Sequence, residues 1–428
     1  MKFYKNPDRS TWGELLQRPA MRMEEIEKQV APILKTVATD GDSALRAFSR
    51  QFDGAEVDSI IVSEKEFEDA IQLVDSDLKA SIDIAIQNIT TFHASQKTET
   101  LQVETMDGIN CWRKSVPIQK VGLYIPGGSA PLFSTVIMIG APAIIAGCEE
   151  VCLCTPPNKE GNIHPAILYT AHKIGIKNVF KVGGAQAIAA MTFGTETIPA
   201  VSKIFGPGNQ YVTAAKQLAT KEGVAIDMPA GPSEVLVWAD ETAHPEFIAA
   251  DLLSQAEHGP DSQVILVSSS QEVIDNTMVE VENQLKTLPR QEIAAKALTH
   301  SRSFLIEDPK TALDLVNEYA AEHLILSLDN ADDICDKIIN AGSVFVGHLT
   351  PESAGDYASG TNHTLPTYGY AKNYSGVSLD SYYRKITFQK INETGLSALG
   401  PHVERMAEAE ELQAHKNAVT VRLNSLKK

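Results

Sequence analysis

Residues 121–155 read VGLYIPGGSAPLFSTVIMIGAPAIIAGCEEVCLCT, and the alternation inside this stretch decides the fold class. A short apolar run, VGLYI, leads into a Gly- and Pro-bearing turn, then the longer VIMIGAPAIIAG, then a second short run in EEVCLCT. Short apolar runs bounded by turn residues suit buried strands and the longer one suits a helix, so the stretch predicts one strand–helix–strand unit of a parallel sheet. The rhythm continues through AILYTAHKIG, NVFKV and AQAIAAMTF. A second set follows, with VLVWA, a helix in PEFIAADLL, QVILVSS, SFLIE, a helix through Ala321, HLILSL and VFVG. The expectation is an α/β chain with two Rossmann-like parallel-sheet domains and small N- and C-terminal units.

Outside these sets the pattern changes. Residues 22–123 look mostly helical at first, as in MEEIEKQVAPILKTVA and EFEDAIQLV, before KVGLYI. From His348 to about Thr367 the chain reads HLTPESAGDYASGTNHTLPT, an irregular stretch whose length marks it as functional or disordered. The tail, from about residue 373, reads as a charged helix, RMAEAEELQAH, and a strand-like AVTVRL.

Composition removes whole classes of function. The 428 residues carry 37 Lys and Arg against 55 Asp and Glu, a formal charge of -18, which repels phosphate backbones and anionic lipid; no nucleic-acid or membrane partner is expected. The first residues, MKFYKNPDRSTW, lack the apolar core of a signal peptide, and the longest apolar run, Val136 to Cys148, is broken by Gly and Pro. A cytoplasmic protein is expected. Five cysteines, an odd and scattered number, suit a reducing compartment. Cys152 and Cys154 invite a metal reading, but they alternate within an apolar run and no second Cys pair completes a thiolate cage, so core packing is the better reading.

Several polar residues stand out against this background. In SQAEHG, residues 254–259, Gln255 continues the apolar stripe of Ile248 and Leu252, with His258 next in line before Gly259 and Pro260 end the helix. Polar side chains on an inward stripe are costly unless something satisfies them. Three Gly-bearing turns, around Tyr124, Gln186 and Asn209, suit a tight turn or a close ligand equally well. None matches the dinucleotide fingerprint, because Tyr211 stands where a third Gly is required after Gly206 and Gly208. Glu322 and His323 sit together at a helix-to-strand junction, two different proton acceptors or else a solvated surface pair. Asp356 and His363 lie in the irregular stretch. Glu411 and His415 are four apart, as in a helix-surface pair, whereas Glu410 and His415 point about 140° apart on a continuous helix and share a site only if the helix ends near His415.

The segments VGLYIPGGSAPLFSTV, VGGAQAIAAMTFGT, IFGPGN, DMPAGPSEVLV, LLSQAEHG, AEHL, SAGDYASGTNHTLPT and ELQAHKNAV, in this order over almost the whole chain, resemble the histidinol dehydrogenase family. The resemblance implies NAD-dependent oxidation of L-histidinol to L-histidine through bound L-histidinal. It implies one zinc ion per subunit, held by Gln255, His258, Asp356 and His415, with Ser233, His323, His363 and Glu410 joining these four in binding substrate. Glu322 and His323 would be the catalytic pair, and Tyr124, Gln186 and Asn209 would contact NAD. It implies a homodimer with shared active sites, His415 reaching into the partner's. Its domain plan is a helical segment over 1–21, a catalytic α/β domain over 22–123 with 235–372, an NAD-binding domain over 124–234, and a dimer-exchanged unit over 373–428. The alternatives are a zinc oxidoreductase acting on another amino alcohol and a non-catalytic paralogue.

Overall fold

The computed structural model describes residues 1–19, 23–127 and 130–427. Its strands are β1 (Lys2–Lys5), β2 (Leu101–Met106), β3 (Ile109–Pro117), β4 (Lys120–Tyr124), β5 (Glu150–Thr155), β6 (Asn178–Lys181), β7 (Lys203–Phe205), β8 (Ala225–Ile226), β9 (Glu234–Ala239), β10 (Gln263–Ser268), β11 (Arg302–Leu305), β12 (His323–Ser327), β13 (Ser343–Val346) and β14 (Tyr383–Ile391). They fall into two compact units, one of residues Met1–Gln96 with Ile118–Tyr382, the other of Lys97–Pro117 with Tyr383–Lys428.

The first unit holds both expected parallel sheets. One has five strands in the order β6-β5-β4-β7-β8, the other six in the order β1-β11-β10-β9-β12-β13. Strands β9, β10 and β12 are buried along their whole length, which explains why they read as unbroken apolar runs. Apart from the edge strand β1, in each sheet the chain starts near the middle, steps outward on one side, then returns to the other, so that strand order reverses between β4 and β7 and between β9 and β12. Such reversals open crevices between diverging connections.

The structure departs from the sequence reading in four places. Residues 1–21 were expected to be helical, but Lys2–Lys5 forms an edge strand parallel to β11, followed by short helical turns at Arg9–Thr11 and Trp12–Leu15; residues 20–22 lie outside the described residues. The helix Met23–Phe48 shares a core with the helices Gly184–Phe193 and Gln210–Lys221 of the five-stranded layer, rather than with the six-stranded one. Between the N-terminal helices and β4 lies an unforeseen hairpin, β2–β3, turning at Asp107 and Gly108, the latter at φ 78°. Its β2 strand is exposed throughout, so no buried face imposed an alternation to read. The hairpin pairs with β14 as an antiparallel sheet of the second unit. Finally, AVTVRL belongs to the helix Gln413–Ser425 and is not a strand.

Candidate active site

A cavity of about 600 Å³ in the first unit gathers most of the singled-out residues. From the carboxyl ends of the five-stranded sheet come Tyr124, Gly206 and Asn209; from the amino ends of β9 and β12 come Ser233, Glu322 and His323; Gln255, His258, Asp356 and His363 complete the polar wall. The surface-pair reading of Glu322 and His323 fails, because both are buried, at 7% and 3% exposure.

The pair is tied to one residue. Glu322 Oε2 accepts the Glu234 main-chain N–H at 2.9 Å, and His323 Nδ1 lies 3.2 Å from the Glu234 carbonyl. The other ring nitrogen, Nε2, is 3.2 Å from Asp356 Oδ1. Burial alone would make His323 harder to protonate, but the carboxylates of Glu322, Asp356 and Glu352 outweigh it and raise its pKa well above the histidine range. Asp356 responds in the opposite sense: burial raises it, and the bond and charge of His323 bring it below the usual carboxylate value. His363 is held between the Asp356 carbonyl (Nδ1, 2.7 Å) and the Thr135 hydroxyl (Nε2, 3.2 Å), and burial lowers its pKa.

Asp356 does not lie on a structureless loop. It sits in a helical turn, Glu352–Tyr357, whose first residue is a carboxylate that sequence reading passed over. Glu352 is 1% exposed, takes a hydrogen bond from the Ser254 hydroxyl, and is pushed up to about 8 by burial. No periodicity in TPESAGDY signals that burial.

The helix Pro245–Ala256 places Gln255 in its last turn, facing inward at 1% exposure. Neither its amide oxygen nor its amide nitrogen has a partner within hydrogen-bond distance, although the amide is near enough to the Glu352 carboxylate to favour its charged form, and such a buried amide normally calls for a further partner. His258 departs from the expected stripe. The helix stops at Ala256, and His258 is exposed in the turn beyond it. Among the described residues no group of three or more His, Cys, Asp or Glu side chains is arranged to hold a metal; Gln255, His258 and Asp356 line the same cavity without forming such a group.

Tyr124, Gln186 and Asn209 meet in an adjoining cavity of about 1480 Å³ at the carboxyl edge of the five-stranded sheet. Tyr124 accepts the Gly184 N–H through its hydroxyl at 3.0 Å, and Asn209 caps the helix Gln210–Lys221 by accepting from Tyr211 and Val212. Gln186 is buried, and its Nε2 has no partner. The FGPG turn is built for close approach: Gly206, at φ 123°, passes so near the Tyr124 carbonyl that a Cβ would collide with it. Lys216 and Asp227 lock that turn, the ammonium donating to the Gly206 carbonyl at 2.7 Å and the carboxylate accepting the Gly206 N–H at 2.7 Å.

Glu410 and His415 belong to the second unit, both exposed. The helix does break between them, at Glu411 with φ 59°, and His415 lies in the first turn of the next helix, Gln413–Ser425. Cys152 and Cys154 are buried neighbours on one face of β5; burial pushes Cys152 up to about 12 and Cys154 well above its usual value, as expected of inert core thiols.

Two parallel α/β layers, with a buried acid–imidazole pair beside a nucleotide-sized crevice, define an α/β enzyme equipped for proton transfer. The histidinol dehydrogenase family model matches residues 16–423. A histidinol dehydrogenase of Bacteroides thetaiotaomicron is 57% identical over 427 residues, covering 100% of both chains, and that of Escherichia coli (strain K12) is 51% identical over 417, covering 97% of this chain and 95% of that one. A crystal structure of histidinol dehydrogenase from Elizabethkingia anophelis superposes with a TM-score of 0.98 at 57% identity, covering 100% of this chain and 99% of that one. The chain belongs to the histidinol dehydrogenase family and is an oxidoreductase.

Proposed function

We propose that the chain oxidises L-histidinol to L-histidine in the last step of histidine biosynthesis, by two successive hydride transfers to NAD with L-histidinal held between them. The observation that carries this reading is the Glu322–His323 pair, buried in the cavity and bonded to the main-chain N–H and carbonyl of one residue, Glu234. NAD, when bound, supplies the hydride acceptor, and the crevice lined by Tyr124, Gln186 and Asn209 is where it fits.

His323 takes the hydroxyl proton as the alcohol becomes aldehyde. With Nδ1 against the Glu234 carbonyl, Nε2 is the nitrogen that faces the cavity. Glu322 then activates the water that adds to the aldehyde, and His323 accepts the proton released when the resulting diol is oxidised. Ser233 and His363 line the same cavity and orient the substrate.

The donor set fits zinc: one amide oxygen without a partner, one carboxylate and imidazoles. Gln255, His258 and Asp356 would hold the ion together with His415 of a second copy of the chain, Glu410 contacting substrate, which makes the enzyme a homodimer with shared sites. Zinc, when bound, would supply a Lewis-acidic anchor for the substrate's nitrogens. Asp356, which would hold the ion, is the group that meets His323 Nε2 here, so metal binding would compete with that bond. A cytoplasmic setting suits the five unpaired cysteines.

The test is direct. The purified protein should form two NADH per histidinol, lose activity to a strong chelator and regain it with zinc. Full turnover in a metal-free preparation would remove the zinc assignment, and NADH formation with another amino alcohol but none with histidinol would remove the substrate.

A further inference from the structure

The groups assigned to proton transfer hang from the main chain of Glu234, so whatever fixes Glu234 fixes them. Its own side chain is 2% exposed at the head of an otherwise apolar strand, where a carboxylate is costly unless it is paired. The partner is Arg18, from the segment after the N-terminal edge strand. The guanidinium grips both carboxylate oxygens, Nε to Oε1 at 2.5 Å and Nη2 to Oε2 at 2.9 Å, and is itself only 12% exposed.

The same guanidinium reaches the second strand of the site. Nη2 donates to the Tyr319 carbonyl at 2.7 Å, and the fork lies over the Tyr319 ring, 4.1 Å from its centre. Tyr319 ends the helix that leads into β12, and its hydroxyl is anchored on Gln263 Oε1 at 3.0 Å. Ala320, the next residue, takes a left-handed conformation at φ 54°, unfavourable for a side chain, and the chain then delivers Glu322 and His323. From a third direction, the Tyr368 N–H, itself at φ 58°, donates to Glu234 Oε1 at 2.7 Å. One buried ion pair thus joins the start of β9, the approach to β12 and the loop after His363.

We propose that Arg18 and Glu234 are positioning residues for the oxidation, the planar fork holding the Glu234 peptide against the Tyr319–Ala320 turn and so setting where Glu322 and His323 point. This rests on the reading of those two as the proton acceptors. A buried ion pair adds little net stability over apolar packing of the same volume, but a bidentate fork restricts geometry in a way that neither a lysine nor an apolar pair reproduces.

Arg18→Lys keeps the charge and removes the fork. Since a misplacement of about 1 Å costs on the order of 100-fold in rate, the variant should lose roughly 10- to 100-fold in kcat while KM for histidinol and NAD stays within about threefold. The pH dependence of kcat should shift with it. Ring-nitrogen NMR, with the His323 signal identified by its loss in His323→Asn, should show one defined His323 environment in the parent and a shifted or broadened one in Arg18→Lys. The double variant Arg18→Met/Glu234→Gln leaves no orphaned charge and should show the same kcat loss. A folded Arg18→Lys protein with the parent's kcat, pH profile and ring signal overturns the proposal, even if its melting temperature falls; so does a double variant of undiminished kcat. His323→Asn run alongside separates the two ideas. Turnover in His323→Asn defeats the proton-acceptor reading, whereas its loss beside an unaffected Arg18→Lys defeats only the positioning role.

Discussion

Gly342 offers a way to move the acid–imidazole pair without touching any polar group of the cavity. It precedes β13, donates its N–H to the Ala321 carbonyl at 2.9 Å, and is followed by Ser343, whose N–H donates to the Glu322 carbonyl at 2.9 Å. A Cβ on Gly342 would stand 2.5 Å from the Glu322 carbonyl oxygen and 3.2 Å from Leu365 Cβ. The closest comfortable carbon–oxygen approach is about 3.3 Å, so Gly342→Ala must open the gap by about 0.8 Å. Leu365 is 6% exposed and gives little, and the sheet hydrogen bond resists slippage, so much of the shift falls on the Glu322 backbone. A displacement of that size in a reacting group costs about 10- to 100-fold, with about 1–3 kcal/mol of overpacking on stability. The assay is NADH formation from histidinol and, separately, from added histidinal, with melting followed in parallel. Gly13→Ala, where nothing lies within 4 Å, is the control. A folded Gly342→Ala enzyme within twofold of the parent on both substrates would refute the reasoning, because it would mean that Glu322 tolerates relocation.

Four further outcomes are expected. Glu322→Gln should harm oxidation of histidinal about 10²- to 10⁴-fold and spare the alcohol step, while His323→Asn harms both, as separate histidinol and histidinal assays would show; equal damage by Glu322→Gln would mean that the pair acts as one unit. Replacing Cys152 and Cys154 by Ala should leave turnover intact at a cost of a few kcal/mol in stability, measured by denaturant melts; a folded variant unable to oxidise histidinal would point instead to a covalent thiohemiacetal. Asp356→Asn and His415→Asn, each inactive alone, should recover about a quarter of parent activity when refolded together into mixed dimers, and no recovery in verified mixed dimers would place the ligands in one subunit. Asp251, raised by burial from 3.8 to about 7, binds its proton more tightly folded than unfolded, so its stabilising contribution is complete below 3.8 and disappears as pH rises through 7. Asp251→Asn should therefore gain in melting temperature over the parent across that window, and parallel melting curves for the two proteins would contradict the shift.

Much of the fold was legible because parallel sheets buried on both faces leave continuous apolar runs, as in VLVWA and QVILVSS. What escaped was whatever lacked a buried face. The hairpin Leu101–Pro117 has an exposed first strand, and the edge strand Lys2–Lys5 shows a single half-buried position; the Asp-Gly at 107–108 was the available hairpin signal. The helical AVTVRL misled because β-branched residues in an exposed helix carry strand propensity with no packing to correct it. At the site, the residues carrying the chemistry were visible, whereas those holding them were not. Arg18 lies more than two hundred positions from Glu234, and no local pattern announces that pairing, although an acid heading a wholly apolar strand was a hint.

The cavity lies at opposite edges of its two sheets, carboxyl ends on one side and amino ends on the other. Connections entering the amino edge are the C-termini of helices, among them Pro245–Ala256 and Pro309–Tyr319, while those leaving the carboxyl edge are N-termini, among them Gly184–Phe193 and Gln210–Lys221. The aligned peptide dipoles therefore give the cavity two electrical poles. The wall bearing Gln255 and His323 carries the negative ends, which favour a cation or a protonated imidazole, and the wall bearing Asn209 carries the positive ends, which favour a diphosphate. In a chain of formal charge -18, this local polarity would let the dinucleotide proposed above settle on one side while positive charge collects on the other.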